Sequence, residues 1–384
     1  MAGARELQAD EAARLEGEPS FFADPRRLAQ TAIVVIVLIA AIYVFLPKIV
    51  GLDDALAKLD EGDPLWLGLG FAFSLMTYVS YIALFQGVVG ERIRLEWRES
   101  YEITMAGLAA SRLFSAGGAG GIVLTYWALR KAGMERRQTA CRMVALLVLL
   151  YAVYVVALIV FGVLLRTGAL PGEAPIGLTL VPAGIAGAVL VLFLLIALIP
   201  EDFERRFVGW SAGYRFGRFA RGLATVPDTL ARGTRTAISF VRVPSRGGLA
   251  VLGTLGFWAA NIATLWACFK AFGVHVPFGV VIQGYFVGMV ANLLPGAPGG
   301  VGTVDAGMIG AFVLFGLPGE SVFAAVLMYR LFAFWLPVLP GFVAFLQLRG
   351  TVARWERERG KEQPGGAAVA AGAAGGAPIL QKVK

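Results

Sequence analysis

The sequence predicts an all-α polytopic membrane protein in which six full spans and two broken re-entrant helix pairs form an inverted repeat. The chain is 58% hydrophobic and 16% charged, which is more apolar than an ordinary soluble domain. Several uncharged runs approach the ~20 residues with which a helix crosses a bilayer. Of the 34 Lys and Arg residues, 28 lie in five polar segments between or beyond these runs. Since basic segments stay in the cytoplasm, they predict cytoplasmic termini and explain the net charge of +8 without a nucleic-acid partner.

The chain divides into three predicted parts. Residues 1–27 form a polar cytoplasmic segment, residues 28–348 a transmembrane domain, and residues 349–384 a cytoplasmic disordered tail. The full spans are expected at 28–46, 64–90, 143–165, 178–199, 249–272 and 321–348. Between the fourth and fifth spans, residues 201–248 carry nine arginines and no lysine. Aromatic side chains alternate with these arginines, which predicts a basic cytoplasmic amphipathic segment on a membrane face.

Two further apolar segments, 100–129 and 279–316, are each expected to return to the side from which they enter. The loops at the two ends of each segment have the same charge character, which places both ends on one side of the membrane. Each segment holds a break with the pattern G-x-x-G-G-[I/V], and its short arms favour a re-entrant hairpin over two tilted spans. The predicted break residues are Gly117, Gly120, Gly121, Pro295, Gly296, Pro298, Gly299, Gly300 and Gly302. One hairpin enters from each side, and inverted repeats with broken helices are typical of alternating-access transporters.

Five polar side chains near these breaks form the predicted lipid-headgroup site. Arg330 lies inside a span, where a charge is costly unless it is paired or hydrated, so it is a candidate for function. Asp305 either pairs with Arg330 or complements the dipole of a half-helix that Thr303 caps. Arg112 either binds an anionic headgroup or extends to the cytoplasmic face. Asn292 either caps a helix, links two helices or contacts the headgroup.

The sequence carries no motif for a cofactor, a metal ion or catalysis. One histidine and two cysteines have neither a metal-site spacing nor the pattern of a disulfide framework. The run GGAGG lacks the Lys-Ser/Thr of a phosphate loop and a flanking strand, so no nucleotide site is predicted. Glycines four residues apart, Gly117 with Gly121 and Gly284 with Gly288, have the spacing of helix-packing positions. We therefore expect a protein without cofactor, metal or enzymatic activity.

The end of the transmembrane region resembles a known family. The run LLPGAPGGVGTVDAG, followed by AAVLMYRLFAFWLPVLPG, is similar to the signature of the lysylphosphatidylglycerol synthase transmembrane (flippase-like) family. Asp305 stands where that family usually has glutamate. The later part of the signature is matched by Tyr329, Arg330, Trp335 and Pro337. The first break departs from the family, because GGAGGIVLTYWALR lacks the acid of the usual Gly-Glu pair.

The resemblance covers residues 28–348 and implies a bacterial inner-membrane flippase that moves a phospholipid or lipid-linked molecule between leaflets. Its expected partners are membrane lipids with an anionic headgroup, and a lipid-modifying enzyme is a further candidate. Larger relatives carry a soluble aminoacyl-transferase domain, which we do not expect here.

Two alternative functions are also compatible with the sequence. A polyprenyl-linked glycosyltransferase-like enzyme would need an acidic metal cluster, which only Glu201, Asp202 and Glu204 approach. A non-transporting scaffold for a membrane enzyme would have a dry, filled midplane.

Overall fold

A computed structural model describes residues 61–90, 93, 95–113, 119–198, 217–293 and 300–362. Several predictions concern residues outside these ranges. They are the segment 1–27, the span 28–46, the end of the tail, and the break residues Gly117, Pro295, Gly296, Pro298 and Gly299.

The described residues form eleven α-helices and three short helical segments of other types. The α-helices are α1 (Pro64–Val89), α2 (Trp97–Leu113), α3 (Ala119–Lys131), α4 (Arg136–Arg166), α5 (Leu180–Ala197), α6 (Gly217–Arg242), α7 (Pro244–Ala271), α8 (Phe278–Val290), α9 (Thr303–Leu314), α10 (Gly319–Arg330) and α11 (Val338–Glu362). The segments Ile176–Leu178 and Ala291–Leu293 are 3₁₀-helices, and Leu331–Trp335 is a π-helix.

Five stretches of the described chain are long and apolar enough to cross a membrane. They are Pro64–Val89, Arg136–Arg166, Ile176–Ala197, Pro244–Ala271 and Gly319–Arg359. These correspond to the five predicted spans that follow the first. The hairpin arms α8 and α9 are apolar but have only 13 and 12 residues, about 20 Å of helix against the ~30 Å of a hydrocarbon core. The chain is therefore an all-helical polytopic membrane protein, as predicted.

The two halves of the bundle contact each other reciprocally. The first helices of the halves, α1 and α7, pack along each other, and each half then contains a helical hairpin, α2–α3 or α8–α9. The helix α4, which follows the first hairpin, contacts α8, the first arm of the second hairpin. The helix α11, which continues the span that follows the second hairpin, contacts α2, the first arm of the first hairpin. This exchange of partners is the arrangement that an inverted repeat requires.

Glycines allow the central pair α1 and α7 to cross closely. A Cβ atom at Gly87 would overlap backbone atoms of Ala250, and a Cβ atom at Gly253 would overlap backbone atoms of Leu84. Small residues on both sides of a crossing let two helices approach within backbone contact in a membrane. The crossing joins the two halves of the repeat.

The structure differs from the predicted organisation at four places. Within the basic segment 201–248, α6 packs against α4, α5 and α7, and Phe240 of α6 is buried, so this helix is part of the bundle rather than a free surface helix. Residues 244–248 already belong to α7. The tail is helical as far as Glu362, because Thr351 bonds Glu102 at 2.7 Å and Arg354 bonds Glu99 at 2.9 Å, both on α2. The predicted span 321–348 is interrupted by the π-helix.

Asp228 of α6 is expected to make folding sensitive to acid. Its carboxylate lies 2.5 Å from Arg137 Nη2 of α4 and 2.8 Å from Arg232 Nε. Burial alone would raise the pKa of Asp228, but the hydrogen bonds and charges of these arginines outweigh burial and lower the pKa below its ordinary value of 3.8. The paired carboxylate therefore stabilises the fold above pH 3.8, and this stabilisation is lost as the pH falls through the lower folded-state value.

Thermal unfolding in detergent between about pH 7 and pH 3 measures this loss. Asp228→Asn should remove the acid-dependent component, while Glu358→Gln, at an exposed position of α11, should keep it. Identical acid profiles for the wild type and Asp228→Asn would contradict the assignment.

Candidate functional site

The break before α9 positions Asp305. Gly302 directly precedes the helix and has a φ of +80°, a conformation in which any residue with a side chain would be strained. Its amide donates a hydrogen bond of 2.8 Å to Oδ2 of Asp305, three residues later. Thr303 was expected to cap this helix, but it is the first helical residue, and its hydroxyl instead faces the carbonyl of Gly300 at 3.3 Å. The capping role thus falls to Asp305 itself.

The other carboxylate oxygen of Asp305 forms an ion pair with Arg330. Oδ1 lies 2.6 Å from Arg330 Nε, and the two side chains are only 12% and 7% exposed. A buried pair of this kind is costly to separate, since either charge alone would be stranded in a medium of low polarity. Asp305 therefore fulfils both predicted roles. Oδ2 accepts the hydrogen bond at the start of α9, and Oδ1 pairs with Arg330.

Arg330 is the last residue of α10, and the π-helix begins immediately after it. Pro337 has no N–H with which to bond the carbonyl of Ala333, four residues earlier. The amide of Leu336 donates to Leu331 at 2.9 Å rather than to Phe332. The carbonyls of Phe332 and Ala333 consequently lose their helical donors at membrane depth, where each must be satisfied by another group.

Side chains of α1 and α2 supply these donors. Ser74 Oγ and Tyr78 OH each lie 2.9 Å from the carbonyl oxygen of Phe332. Arg112 donates from Nη2 to Ala333 at 2.8 Å and from Nη1 to Phe334 at 2.9 Å. The expectation that Arg112 extends to the cytoplasmic face is wrong, because the uncovered carbonyls hold its guanidinium inside the bundle.

Arg112 and Arg330 converge on one aromatic ring. The guanidinium carbon of Arg330 lies 4.6 Å from the ring centre of Phe334, and that of Arg112 lies 5.3 Å from it. Both distances are typical of cation–π contacts. Two positive charges thus meet one carboxylate, Asp305, among the described residues of this cluster. The cluster has one positive charge in excess, which is complementary to an anionic ligand.

A chain of hydrogen bonds lies next to the ion pair. Tyr329 donates its hydroxyl hydrogen to Oδ1 of Asn261 at 3.1 Å, so the contact of 3.0 Å between Tyr285 and Tyr329 must be donated by Tyr285. Asn261 Nδ2 in turn donates to the carbonyl of Phe257 at 2.9 Å. Apart from Tyr329, sequence analysis did not single out these residues. Polar side chains within apolar spans were the available signal.

The remaining predicted residues lie at the edge of this cluster. Asn292 is exposed, and its side-chain oxygen lies close to Gly300 across the break. Gly120 and Gly121 are inside α3, which begins at Ala119, so they do not form the break itself. A Cβ at Gly121 would overlap the carbonyl of Gly107 on α2, which supports a helix-packing role.

Metal ligands are not clustered in the part of the chain that the structure describes. No three His, Cys, Asp or Glu side chains lie close enough together there to hold an ion. Glu201, Asp202 and Glu204, the acidic residues named for a glycosyltransferase, lie outside the described residues.

Comparison with known proteins agrees with the signature residues. Residues 31–341 match the family described as the lysylphosphatidylglycerol synthase TM region. The chain belongs to this family. Several described residues of the family signature belong to the cluster around Asp305 and Arg330. Arg330 forms the ion pair with Asp305, and Tyr329 donates a hydrogen bond to Asn261. Pro337 lacks the N–H that would bond the carbonyl of Ala333 in the π-helix.

Individual relatives align over parts of the chain. A UPF0104 membrane protein of Methanothermobacter thermautotrophicus is 34% identical over 145 residues, which are 36% of this chain and 40% of the relative. A UPF0104 membrane protein of Methanocaldococcus jannaschii is 29% identical over 101 residues, 26% of this chain and 29% of the relative. A phosphatidylglycerol lysyltransferase of Staphylococcus aureus is 30% identical over 82 residues, 21% of this chain and 10% of that enzyme. The chain thus spans less than half the length of these relatives.

Proposed function

We propose that this protein is a lipid translocase that moves a phospholipid or lipid-linked molecule with an anionic headgroup between the leaflets of the bacterial inner membrane. The observation that carries the proposal is the cluster of the half-buried Arg112 with the buried pair Arg330 and Asp305, in which the described residues have one excess positive charge. Intramembrane charges are costly and commonly mark a substrate pathway. A phosphate group is the lipid component that matches two guanidinium groups.

Exchange of partners at Arg330 provides the mechanism. A headgroup phosphate competes with Asp305 for the guanidinium, and Asp305 keeps its hydrogen bond from the Gly302 amide when it releases Arg330. The amino terminus of α9 adds partial positive charge at the same place. Because binding and pair opening are alternatives, the lipid favours a second conformation of the hairpin, as alternating access requires.

The π-helix suits such a movement. The carbonyls of Phe332 and Ala333 are bonded by side chains of α1 and α2 rather than by helical amides, so the backbone hydrogen bonds of the span are interrupted here and α10 can shift without breaking a continuous helix. Arg112 is bonded to this segment and contacts the same ring as Arg330. A displacement of Arg330 would therefore also move Arg112 and the helix α2, which belongs to the first half of the repeat.

We further propose that both termini are cytoplasmic, that translocation involves no enzymatic step, and that a lipid-modifying enzyme supplies or consumes the lipid. The orientation predicts that the loop 273–277 faces the periplasm. A cysteine placed at His275, which is exposed, should react with a membrane-impermeant maleimide in intact cells. A cysteine at Glu358 of α11 should react only after permeabilisation, with Cys141→Ser as background. Labelling of position 275 from the cytoplasm alone would contradict the inverted repeat.

Transport is tested by reconstitution. The purified chain is placed in vesicles that contain fluorescent phosphatidylglycerol, phosphatidylethanolamine or phosphatidylcholine, and an impermeant reductant reports how much label reaches the outer leaflet. The proposal predicts accelerated movement of the anionic lipid over protein-free vesicles. A rate equal to that of protein-free vesicles for every lipid would favour the scaffold alternative.

A further inference from the structure

A positively charged cavity lies where the first turns of α4 meet α6. It has a volume of about 490 Å³. Two arginines of α4, Arg137 and Arg142, and two of α6, Arg232 and Arg235, line it. None of these residues belongs to the Asp305–Arg330 cluster.

Each of the four guanidinium groups is held in place by a contact on one side. Arg137 and Arg232 bond the carboxylate of Asp228, as described above. Arg235 Nε donates to the carbonyl of Ala197 at 3.0 Å, and Arg142 Nη1 donates to that of Val88 at 2.9 Å. A guanidinium has five N–H donors in a fixed planar arrangement, so each of these contacts fixes the orientation of the whole group.

Among the described residues, arginines outnumber carboxylates at this cavity. Four arginines line it together with Glu135, and Asp228 is bonded to two of them, so the described positive charges exceed the described negative charges by two. The hydroxyls of Thr236 and Ser239 add neutral hydrogen-bonding groups to the lining. Several oriented arginines with an excess of positive charge are the chemistry that binds phosphate, through short charge-assisted hydrogen bonds.

The position of the cavity indicates a lipid phosphate. The cavity lies at the start of α4, a candidate span, at the level where headgroups would meet a membrane-crossing helix. Arg235 lines the cavity and bonds the last residue of α5. Only 11% of the apolar part of the span Ile176–Ala197, which contains α5, is buried inside the bundle. The exposed apolar side chains near this end of α5 are Val191, Leu192, Leu194, Leu195 and Leu198. They provide a surface for acyl chains that would extend from a headgroup in the cavity.

We propose that this cavity binds the phosphate of an anionic phospholipid from the cytoplasmic leaflet, with the acyl chains along α5. The site is separate from the proposed translocation pathway. Lipid binding in the cavity can be tested without measuring lipid movement, because the following experiment reports only whether the cavity is occupied.

Cys141 provides a reporter within the cavity. It lines the cavity wall and is partly exposed, whereas the other cysteine, Cys268, is completely buried. The rate at which a maleimide modifies the purified chain in non-ionic detergent therefore measures access to the cavity. Dihexanoyl phosphatidylglycerol should slow this modification in a saturable manner, and dihexanoyl phosphatidylcholine should have little effect at the same concentration.

Arg235→Gln should raise the phosphatidylglycerol concentration for half-protection about tenfold, the factor expected for one lost charge-assisted hydrogen bond. Arg242→Gln is the matched control, since Arg242 is an exposed arginine of the same helix that does not line the cavity, and it should leave the midpoint unchanged.

Inorganic phosphate is the third probe. Protection by inorganic phosphate at the concentration at which phosphatidylglycerol acts would support the phosphate site and assign it to a soluble phosphate. Equal protection by phosphatidylcholine and phosphatidylglycerol, or protection by none of the three compounds, would overturn the proposal. The comparison on the wild-type chain decides this even if Arg235→Gln does not fold.

Discussion

Replacing Arg330 by glutamine is expected to abolish lipid movement in reconstituted vesicles. The substitution removes the guanidinium that binds Asp305 at 2.6 Å and that would bind the headgroup phosphate. The rate above the protein-free background should fall at least about a hundredfold, which corresponds to about 2.7 kcal/mol. The fold is also expected to lose stability, because a buried carboxylate left without its partner costs about 3–5 kcal/mol.

The two effects are separated by a second substitution. Arg330→Gln combined with Asp305→Asn replaces the ion pair by two neutral amides, which should recover thermal stability but not transport. Asp305→Asn alone keeps Arg330 and should retain binding while altering rate or lipid selectivity. Arg166→Gln, at an exposed arginine of α4, is the matched control for loss of one charge. Normal lipid movement by folded Arg330→Gln would make the pair purely structural and would refute the phosphate role.

The Asp305–Arg330 contact was predictable because both charges lie at similar depth in adjacent antiparallel segments. Hydrophobic run lengths and the distribution of basic residues likewise predicted the five described spans and the two hairpins. These features follow from local rules of the bilayer, namely the length of a span and the cost of an isolated charge. The half of the site that lies within a single repeat was therefore predictable from the sequence.

The other half of the site was not predictable in the same way. The π-helix results from a shift of backbone hydrogen bonds by one residue, and apolar patterning does not report such a shift. Pro337 was the only local indication, and a proline inside a predicted span is equally compatible with a simple kink. The partner of Arg112 lies more than two hundred residues away in sequence, so only the packing of α2 against the second half reveals it.

Close helix contacts at glycines were predictable within one helix but not between helices that are distant in sequence. The spacing of Gly284 and Gly288 predicted close helix packing, and Cβ atoms there would indeed overlap Phe312 and Met308 of α9. The closest crossing, α1 with α7 at Gly87 and Gly253, was not singled out. It joins segments from different halves, and a chain with 49 glycines gives no way to choose the pair that meets.

The second large effect is expected from Arg112 and Pro337 together. Arg112→Gln removes the guanidinium that donates to the carbonyls of Ala333 and Phe334, and Ala333 has no i+4 donor because residue 337 is a proline. Hydrogen bonds from a charged group contribute about 1.5–3 kcal/mol each, so the variant should unfold at a clearly lower temperature in detergent. Transport should also fall, because one of the two positive charges of the cluster is lost.

Pro337→Ala tests whether the missing N–H is the cause of this dependence. An alanine at position 337 provides an amide that can bond the Ala333 carbonyl, and the π-helix can then become a continuous α-helix. In the Arg112→Gln background this substitution should recover part of the lost thermal stability, and the two substitutions should therefore be non-additive. It should not recover transport, since it restores no charge and stiffens the segment that has to move. Strictly additive effects on thermal stability would show that Arg112 does not replace the backbone donor that Pro337 lacks.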